Sequence, residues 1–135
     1  MAAEAKKGSY GFKRIVDAPF DAAIEKTREA LKGAGFGVLT EIDMKAKLKE
    51  KLDKDFRNYV ILGACNPGFA FEALEKDLDI GLLLPCNVIV YESEGGTVVS
   101  TIDPETAMSV ADVPGLEPIA KLVGEKLRSA LNSIA

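Results

Sequence analysis

The two cysteines of this chain lie in similar strings, and a thiol is the strongest nucleophile that the sequence offers. Cys65 stands in Gly-Ala-Cys-Asn-Pro and Cys86 in Leu-Pro-Cys-Asn, so each cysteine is followed by an asparagine. The side-chain amides of Asn66 and Asn87 are suited to hydrogen-bond a ligand held near the thiols. These four residues form the first candidate site.

The position predicted for Cys65 favours a reactive thiolate. We expect Cys65 to end a buried strand, directly before a helix that Asn66 caps and that has Pro67 in its first turn. The positive end of a helix dipole lowers a thiol pKa from about 8.5 to roughly 3.5–7.5 where water reaches the sulfur. Such a thiolate attacks electrophiles or carries a persulfide. The alternative is a packed apolar cysteine, because free cysteine is among the most buried residue types.

Cys86 is the candidate resolving thiol for Cys65, either within one subunit or across a dimer. The chain has no Cys-x-x-Cys pair, so this role depends on the fold. A stable structural disulfide is not expected in a cytosolic protein. For the asparagines, the alternatives are capping by Asn66 and turn formation by Asn87.

Glu41 and Asp43 form a second candidate group. They are two positions apart, so on an extended strand their side chains point to the same face. A carboxylate pair of this kind can bind a hard cation or transfer protons. The alternative gives both residues structural partners, with Asp43 capping the following helix and Glu41 pairing with Lys45.

The composition excludes several classes of chemistry. The chain of 135 residues has no histidine, which removes Ser-His-Asp and Cys-His catalysis and histidine-ligated zinc. Two cysteines cannot close a four-thiolate zinc site within one chain. No motif implies an organic cofactor. We therefore predict neither a metal nor a cofactor.

Charge and hydropathy limit the partners and the location. Seventeen basic and twenty-one acidic residues give a net charge of −4, which argues against general nucleic-acid binding. No run approaches the roughly 18 apolar residues of a membrane helix. The N-terminal residues have no apolar core of the kind that secretory signals contain. We predict a cytoplasmic protein that binds neither nucleic acid nor a membrane.

Residue spacing predicts one α+β domain over residues 9–135, with a flexible tail over residues 1–8. The β-rich runs at 87–92 and 97–102 flank a Ser-Glu-Gly-Gly turn, so the sheet is antiparallel at least in part. Amphipathic helices beginning near Pro19 and Pro114 are expected to pack on one face of that sheet, together with short helices elsewhere. The other face must then be polar, or be covered by short helices, a ligand or a second subunit.

Three strings resemble the domain-of-unknown-function 302 family. They are Gly-Val-Leu-Thr-Glu-Ile-Asp at 37–43, Ile-Leu-Gly-Ala-Cys-Asn-Pro at 61–67 and Ile-Gly-Leu-Leu-Leu-Pro-Cys-Asn-Val at 80–88. The resemblance extends from residue 9 to about residue 134. It implies a fold like the TATA-binding-protein repeat, with a curved, mainly antiparallel sheet and a β-α-β(4)-α core. It further implies a bacterial or archaeal cytoplasmic protein, often a homodimer, with no settled activity. A shared fold does not carry DNA binding with it.

Two hypotheses of different classes follow. In the first, a homodimeric protein binds a small molecule, or handles sulfur or redox equivalents, at a pocket near Cys65, Asn66 and Cys86, with Glu41 and Asp43 at its edge. In the second, the protein is a non-catalytic homodimeric interaction module with structural cysteines, and the exposed face of its sheet is the contact surface. The sequence leaves both open, and with them the question of enzymatic activity. Burial of the two sulfurs discriminates between them.

Overall fold

One antiparallel sheet organises the fold in the computed structural model, which describes residues 4–134. The strands in this range are β1 (Lys6–Lys7), β2 (Gly11–Val16), β3 (Gly37–Asp43), β4 (Tyr59–Cys65), β5 (Cys86–Ser93) and β6 (Gly96–Ile102). They form a six-stranded sheet in the order β1-β2-β6-β5-β4-β3, and all neighbouring strands are antiparallel. The predicted α+β class is confirmed.

Five helices connect or follow these strands within the described range. They are α1 (Phe20–Gly33), α2 (Met44–Leu52), α3 (Pro67–Lys76), α4 (Pro104–Met108) and α5 (Leu116–Asn132), with 3₁₀ turns at Leu78–Leu83 and Ser109–Ala111. Without β1 and the shorter helices, the order is β-α-β-β-β-β-α, as the family resemblance implies. The likeness to the TATA-binding-protein repeat stays a prediction. None of the helices in the described residues is long and apolar enough to span a membrane.

The sheet buries the face that α1 and α5 cover. Strand residues alternate between the two faces, and those on the helix side form the core with the inner stripes of both helices. The strand members of this core include Phe12, Val16, Leu62, Val88, Val90 and Val99, and those of α5 include Ile119, Val123, Leu127 and Leu131. The predicted packing of two long helices on one face is therefore confirmed.

Glycine ends α1 in the way that the sequence predicts. Gly35 has φ +91°, the left-handed conformation that favours glycine just after a helix. Its N–H donates to the Lys32 carbonyl at 3.0 Å, and the Phe36 N–H donates to the Leu31 carbonyl at 2.8 Å. This pattern is a Schellman motif, and it turns the chain directly into β3.

Arg14 connects β2 to the far end of α5. Its side chain is buried, and its guanidinium donates a hydrogen bond to the Leu131 carbonyl in the last turn of the helix. A cation is favourable there because the helix dipole is negative at its C-terminus.

The N-terminal segment differs from the predicted tail. Residues 1–3 of that tail lie outside the described residues. Lys6 and Lys7 pair with Lys13 and Phe12 of β2, and the Ala5 N–H donates to Asn132 Oδ1 at 2.7 Å. The described part of the segment is therefore attached to the sheet and to α5, whereas the domain boundary at residue 9 stays a prediction.

The opposite face of the sheet, which we call the open face, points away from α1 and α5. Its strand residues include Lys6, Gly11, Lys13, Ile15, Val98, Ser100, Ile102, Asn87, Ile89, Tyr91, Tyr59, Ile61, Gly63, Thr40 and Ile42. Helix α2 contacts β3 and β4 but buries none of its own residues.

Gly63 lies where three segments meet on the open face. A Cβ at this position would collide with Thr40 Oγ1 and would lie 2.8 Å from Pro85 Cγ. We therefore expect Gly63→Ala to lower the free energy of unfolding by about 1–3 kcal/mol, the usual effect of overpacking. Urea denaturation measures this change. Gly37→Ala is the matched control, because a Cβ there has nothing within 4 Å. Equal stability of the two variants would contradict the prediction.

Candidate functional site

The local structure predicted around Cys65 is confirmed. Cys65 is the last residue of β4, and its side chain is half-buried. Asn66 follows as the N-cap of α3, where its Oδ1 accepts a hydrogen bond from the Phe69 N–H at 3.2 Å. Pro67 is the first residue of the helix. Asn66 therefore has the capping role that the sequence offers as the alternative to ligand binding.

The direction of the pKa shift at Cys65 does not favour the expected activation, which stays a prediction. Burial raises the pKa of the Cys65 thiol, although a position before a helix predicts a lower pKa. The side chain of Asn66 already occupies one of the free N–H groups that would have stabilised a thiolate. Loss of hydration is the cause of the raised pKa.

The pKa of the Cys86 thiol is raised more strongly than that of Cys65. It is 6% exposed, and burial, with a smaller contribution from the nearby Cys65, raises its thiol pKa to about 11. It lies opposite Ala64 in the pairing of β4 with β5. The structure thus brings the two cysteines close together, but both are free thiols and both are protonated at neutral pH.

The cavity that both cysteines line is too small for a ligand. Its volume is about 20 Å³, which holds about one water molecule. Most of its lining is apolar and comes from the core or from α3, including Phe36, Ala64, Phe69, Ala73, Ile119 and Val123. The pocket expected near Cys65, Asn66 and Cys86 is therefore a packing defect of the core in this conformation.

Asn87 lies on the other side of the sheet from Cys86. It is an exposed strand residue that pairs with Gly63, and successive strand residues point to opposite faces. The turn expected as an alternative for Asn87 is wrong, because β5 begins one residue earlier, at Cys86. The two asparagines therefore do not meet at one site.

Glu41 and Asp43 both have structural partners. Glu41 forms an ion pair with Arg28 of α1, so the expected pairing with Lys45 is wrong. Asp43 caps α2 by accepting a hydrogen bond from the Ala46 N–H at 3.0 Å. Within residues 4–134, no three acidic or cysteine side chains come close enough to hold a metal ion.

Sequence reasoning missed a cluster of tyrosines and lysines on the open face. An open depression of about 570 Å³, which we call the tyrosine–lysine depression, lies at the β1–β2 side of this face. Its lining residues are Lys6, Lys7, Gly8, Ser9, Tyr10, Gly11, Lys13, Tyr59, Ile89, Tyr91 and Ser100. All three tyrosines of the chain are among them.

Two aromatic rings of the depression are in contact with each other, and one of them is in contact with a cation. The rings of Tyr59 and Tyr91 stack with centroids 5.4 Å apart and planes 8° apart. Lys13 Nζ lies 5.9 Å from the centroid of the Tyr91 ring, within the range of a cation–π interaction. Burial, together with Tyr91 and Tyr10, raises the pKa of Tyr59, while Lys13 lowers it. Tyr59 therefore keeps its hydroxyl proton at neutral pH.

The charge of the open face is opposite in sign to that of the chain. The strand residues on this face include Lys6 and Lys13 but no aspartate or glutamate, whereas the whole chain has a net charge of −4. Lys6 and Lys13 are directly paired across β1 and β2. Within the described residues, neither lysine forms an ion pair, while the neighbouring Lys7 pairs with Asp103 at 3.7 Å.

Comparison with known proteins agrees with this architecture. A crystal structure of an uncharacterised conserved DUF302 protein from Bacillus stearothermophilus superposes with a TM-score of 0.88 and 32% sequence identity. The alignment covers 95% of this chain and 100% of that protein. No curated protein matches the chain. Residues 12–134 match the family described as domain of unknown function DUF302. The chain therefore belongs to the DUF302 family.

Proposed function

We propose that the protein is a non-catalytic binding module whose contact surface is the open face of its sheet, and that both cysteines are packing residues. The observation that carries this proposal is the open face itself. It points away from α1 and α5, exposes aromatic and aliphatic side chains, and has two lysines without any carboxylate among its strand residues. Exposed apolar surface of this kind is typical of binding sites.

The thiols and carboxylates support a non-catalytic role. The pKa of Cys65 and the pKa of Cys86 are both raised, so neither residue supplies a thiolate at neutral pH. Their shared cavity holds about one water molecule. Glu41 and Asp43 have an ion pair and a helix cap as partners. Free cysteines also suit the cytoplasmic location that we predict.

An anionic partner is the occupant that suits the open face best. Lys6 and Lys13 are like charges opposite each other, an arrangement that a bound anion stabilises. A second copy docked by the same face would bring further lysines against these two. We therefore assign the open face to an anionic ligand and look for the dimer contact elsewhere.

The edge strand β3 is the surface that we propose for the homodimer. It pairs only with β4, so its outer edge presents unpaired backbone groups to solvent. Leu39, at the register shift between Val38 and Thr40, is 67% exposed. Antiparallel pairing of two β3 strands would join both sheets and leave both open faces free.

The thiol assignment is tested by alkylation of the native protein across a pH series. We expect the modification of Cys65 to follow a midpoint above the ordinary pKa of a thiol, and that of Cys86 a midpoint near 11, because burial disfavours both thiolates. Peptide mass spectrometry assigns the two phases, and Cys65→Ser removes the first. A Cys65 midpoint below about 7.5 would restore the reactive thiolate and overturn the packing role.

The open face is tested by titration with anilinonaphthalene sulfonate, an aromatic anion whose fluorescence rises on apolar surfaces. We expect Ile15→Glu to weaken binding of the dye by about tenfold. The new carboxylate lies beside the depression, where the bound dye would bury it and where it would repel the anionic group of the dye. Leu122→Glu on the outer face of α5 is the matched control, since Ile15 is 51% exposed and Leu122 48%. The proposal is contradicted if the dye does not bind, or if both variants lower its binding affinity equally.

Sedimentation velocity tests the homodimer separately. We expect the wild-type protein to sediment as a dimer and Leu39→Lys to sediment as a monomer, because a charged side chain on an edge strand prevents pairing between sheets. Leu122→Lys serves as the control and should leave the dimer intact. A monomeric wild type, or a dimer that Leu39→Lys leaves unchanged, removes β3 as the interface.

A further inference from the structure

We infer that the tyrosine–lysine depression is a binding site for a nucleoside phosphate. The inference rests on the proposed function of the open face and adds the chemical class of its ligand. The ligand that we infer has a planar ring, which the tyrosines would contact, and a compact group with more than one negative charge, which the lysines would contact.

The tyrosines of the depression favour a ligand with a planar ring. Tyr10 is 69% exposed at the rim, and Tyr91 and Tyr59 form a stacked pair that is part of the same lining. Aromatic side chains on an open sheet surface are the usual platform for nucleobases, because every base has a π face. Ile89 lies two residues before Tyr91 on the same face of β5 and supplies apolar contact.

The two lysines favour a ligand with a phosphate group. Lys6 and Lys13 face each other on adjacent strands, and neither has an ion pair within the described residues. A phosphate monoester carries about −1.5 to −2 charges near pH 7 and offers three acceptor oxygens, so it can satisfy both ammonium groups together. A carboxylate or a sulfonate carries only one charge.

The shape of the depression suits a small ligand. Gly11 is part of the lining and has no side chain, and a Cβ there would lie only 2.7 Å from the Thr101 carbonyl oxygen. The volume of about 570 Å³ falls within the roughly 300–1,000 Å³ of typical small-molecule sites. Lys6 and Lys13 alone cannot neutralise the many phosphates of a nucleic-acid strand, and the net charge of −4 opposes such a strand.

The chain provides its own spectroscopic probe for this site. It has no tryptophan, and its three tyrosines all line the depression, so quenching of tyrosine fluorescence reports binding there. We would titrate the protein with adenosine monophosphate and uridine monophosphate, and with adenosine and inorganic phosphate as the separate halves of the ligand. We expect saturable quenching by both nucleotides, with at least about tenfold weaker binding of either half alone.

Matched substitutions test the two contacts. Tyr10→Leu, at the exposed ring of the lining, should weaken nucleotide binding by about tenfold, whereas Tyr10→Phe, which keeps the ring, should bind like the wild type. Lys13→Gln should weaken the binding of both nucleotides by about tenfold and leave the binding of adenosine unchanged. Lys121→Gln, on the exposed side of α5, is the control for a general change in charge. Circular dichroism verifies that each variant is folded.

Each alternative result has a definite meaning. If inorganic phosphate binds as tightly as the nucleotides, or if a single-stranded oligothymidylate binds far more tightly, the assignment to a nucleoside phosphate is overturned. If the dye binds the open face in an Ile15-sensitive way but neither nucleotide quenches, this inference fails and the proposed function stands. If neither the dye nor a nucleotide binds, both fail.

Discussion

The alternation of side chains along the strands is the constraint on which the rest of the structure depends. Helices α1 and α5 cover one face of a single sheet, so every second strand residue enters a core and every other one does not. Cys86 and Asn87 are neighbours in the chain, yet one is buried and the other exposed. One backbone thus builds two surfaces with different chemistry.

Where β4 ends and β5 begins, desolvation governs the chemistry of the cysteines. Cys65 has the position of an activated thiol at the start of a helix, but the helix begins against the core, and Asn66 takes up one of its free N–H groups. Burial raises the pKa of this thiol, because a thiolate would lose hydration there. The same loss of hydration makes Cys86 an ordinary apolar side chain with a weak S–H donor.

Local patterns predict most of the fold, because they depend on residues that are close in sequence. The caps at Asp43 and Asn66, the glycine that ends α1 and the hairpin of β5 and β6 are all read from a few adjacent residues. The pairing of Glu41 with Arg28 was beyond such reasoning, because it depends on how α1 crosses the sheet.

The tyrosine–lysine depression could not be predicted for a similar reason. Its residues come from strands that lie far apart in the chain, and β2 reaches β6 over 88 residues, as the hydrogen bond from Ser100 to Phe12 shows. A shift of one residue in that register would move Lys13 and Ile15 into the core. The spacing of Tyr10, Tyr59 and Tyr91 in the sequence therefore contains no sign that they meet.

The separation of the two faces has a consequence for how proteins with this fold diverge. Substitutions at the exposed positions of the open face, unlike those at Gly63, leave the packing beneath α1 and α5 unchanged, so selection can act on one surface while the other preserves stability. Two descendants of one ancestor can therefore keep the same architecture and the same buried cysteines while they exchange one ligand for another. For proteins with this fold, the side chains on the open face of the sheet are therefore a better guide to a shared ligand than overall sequence identity.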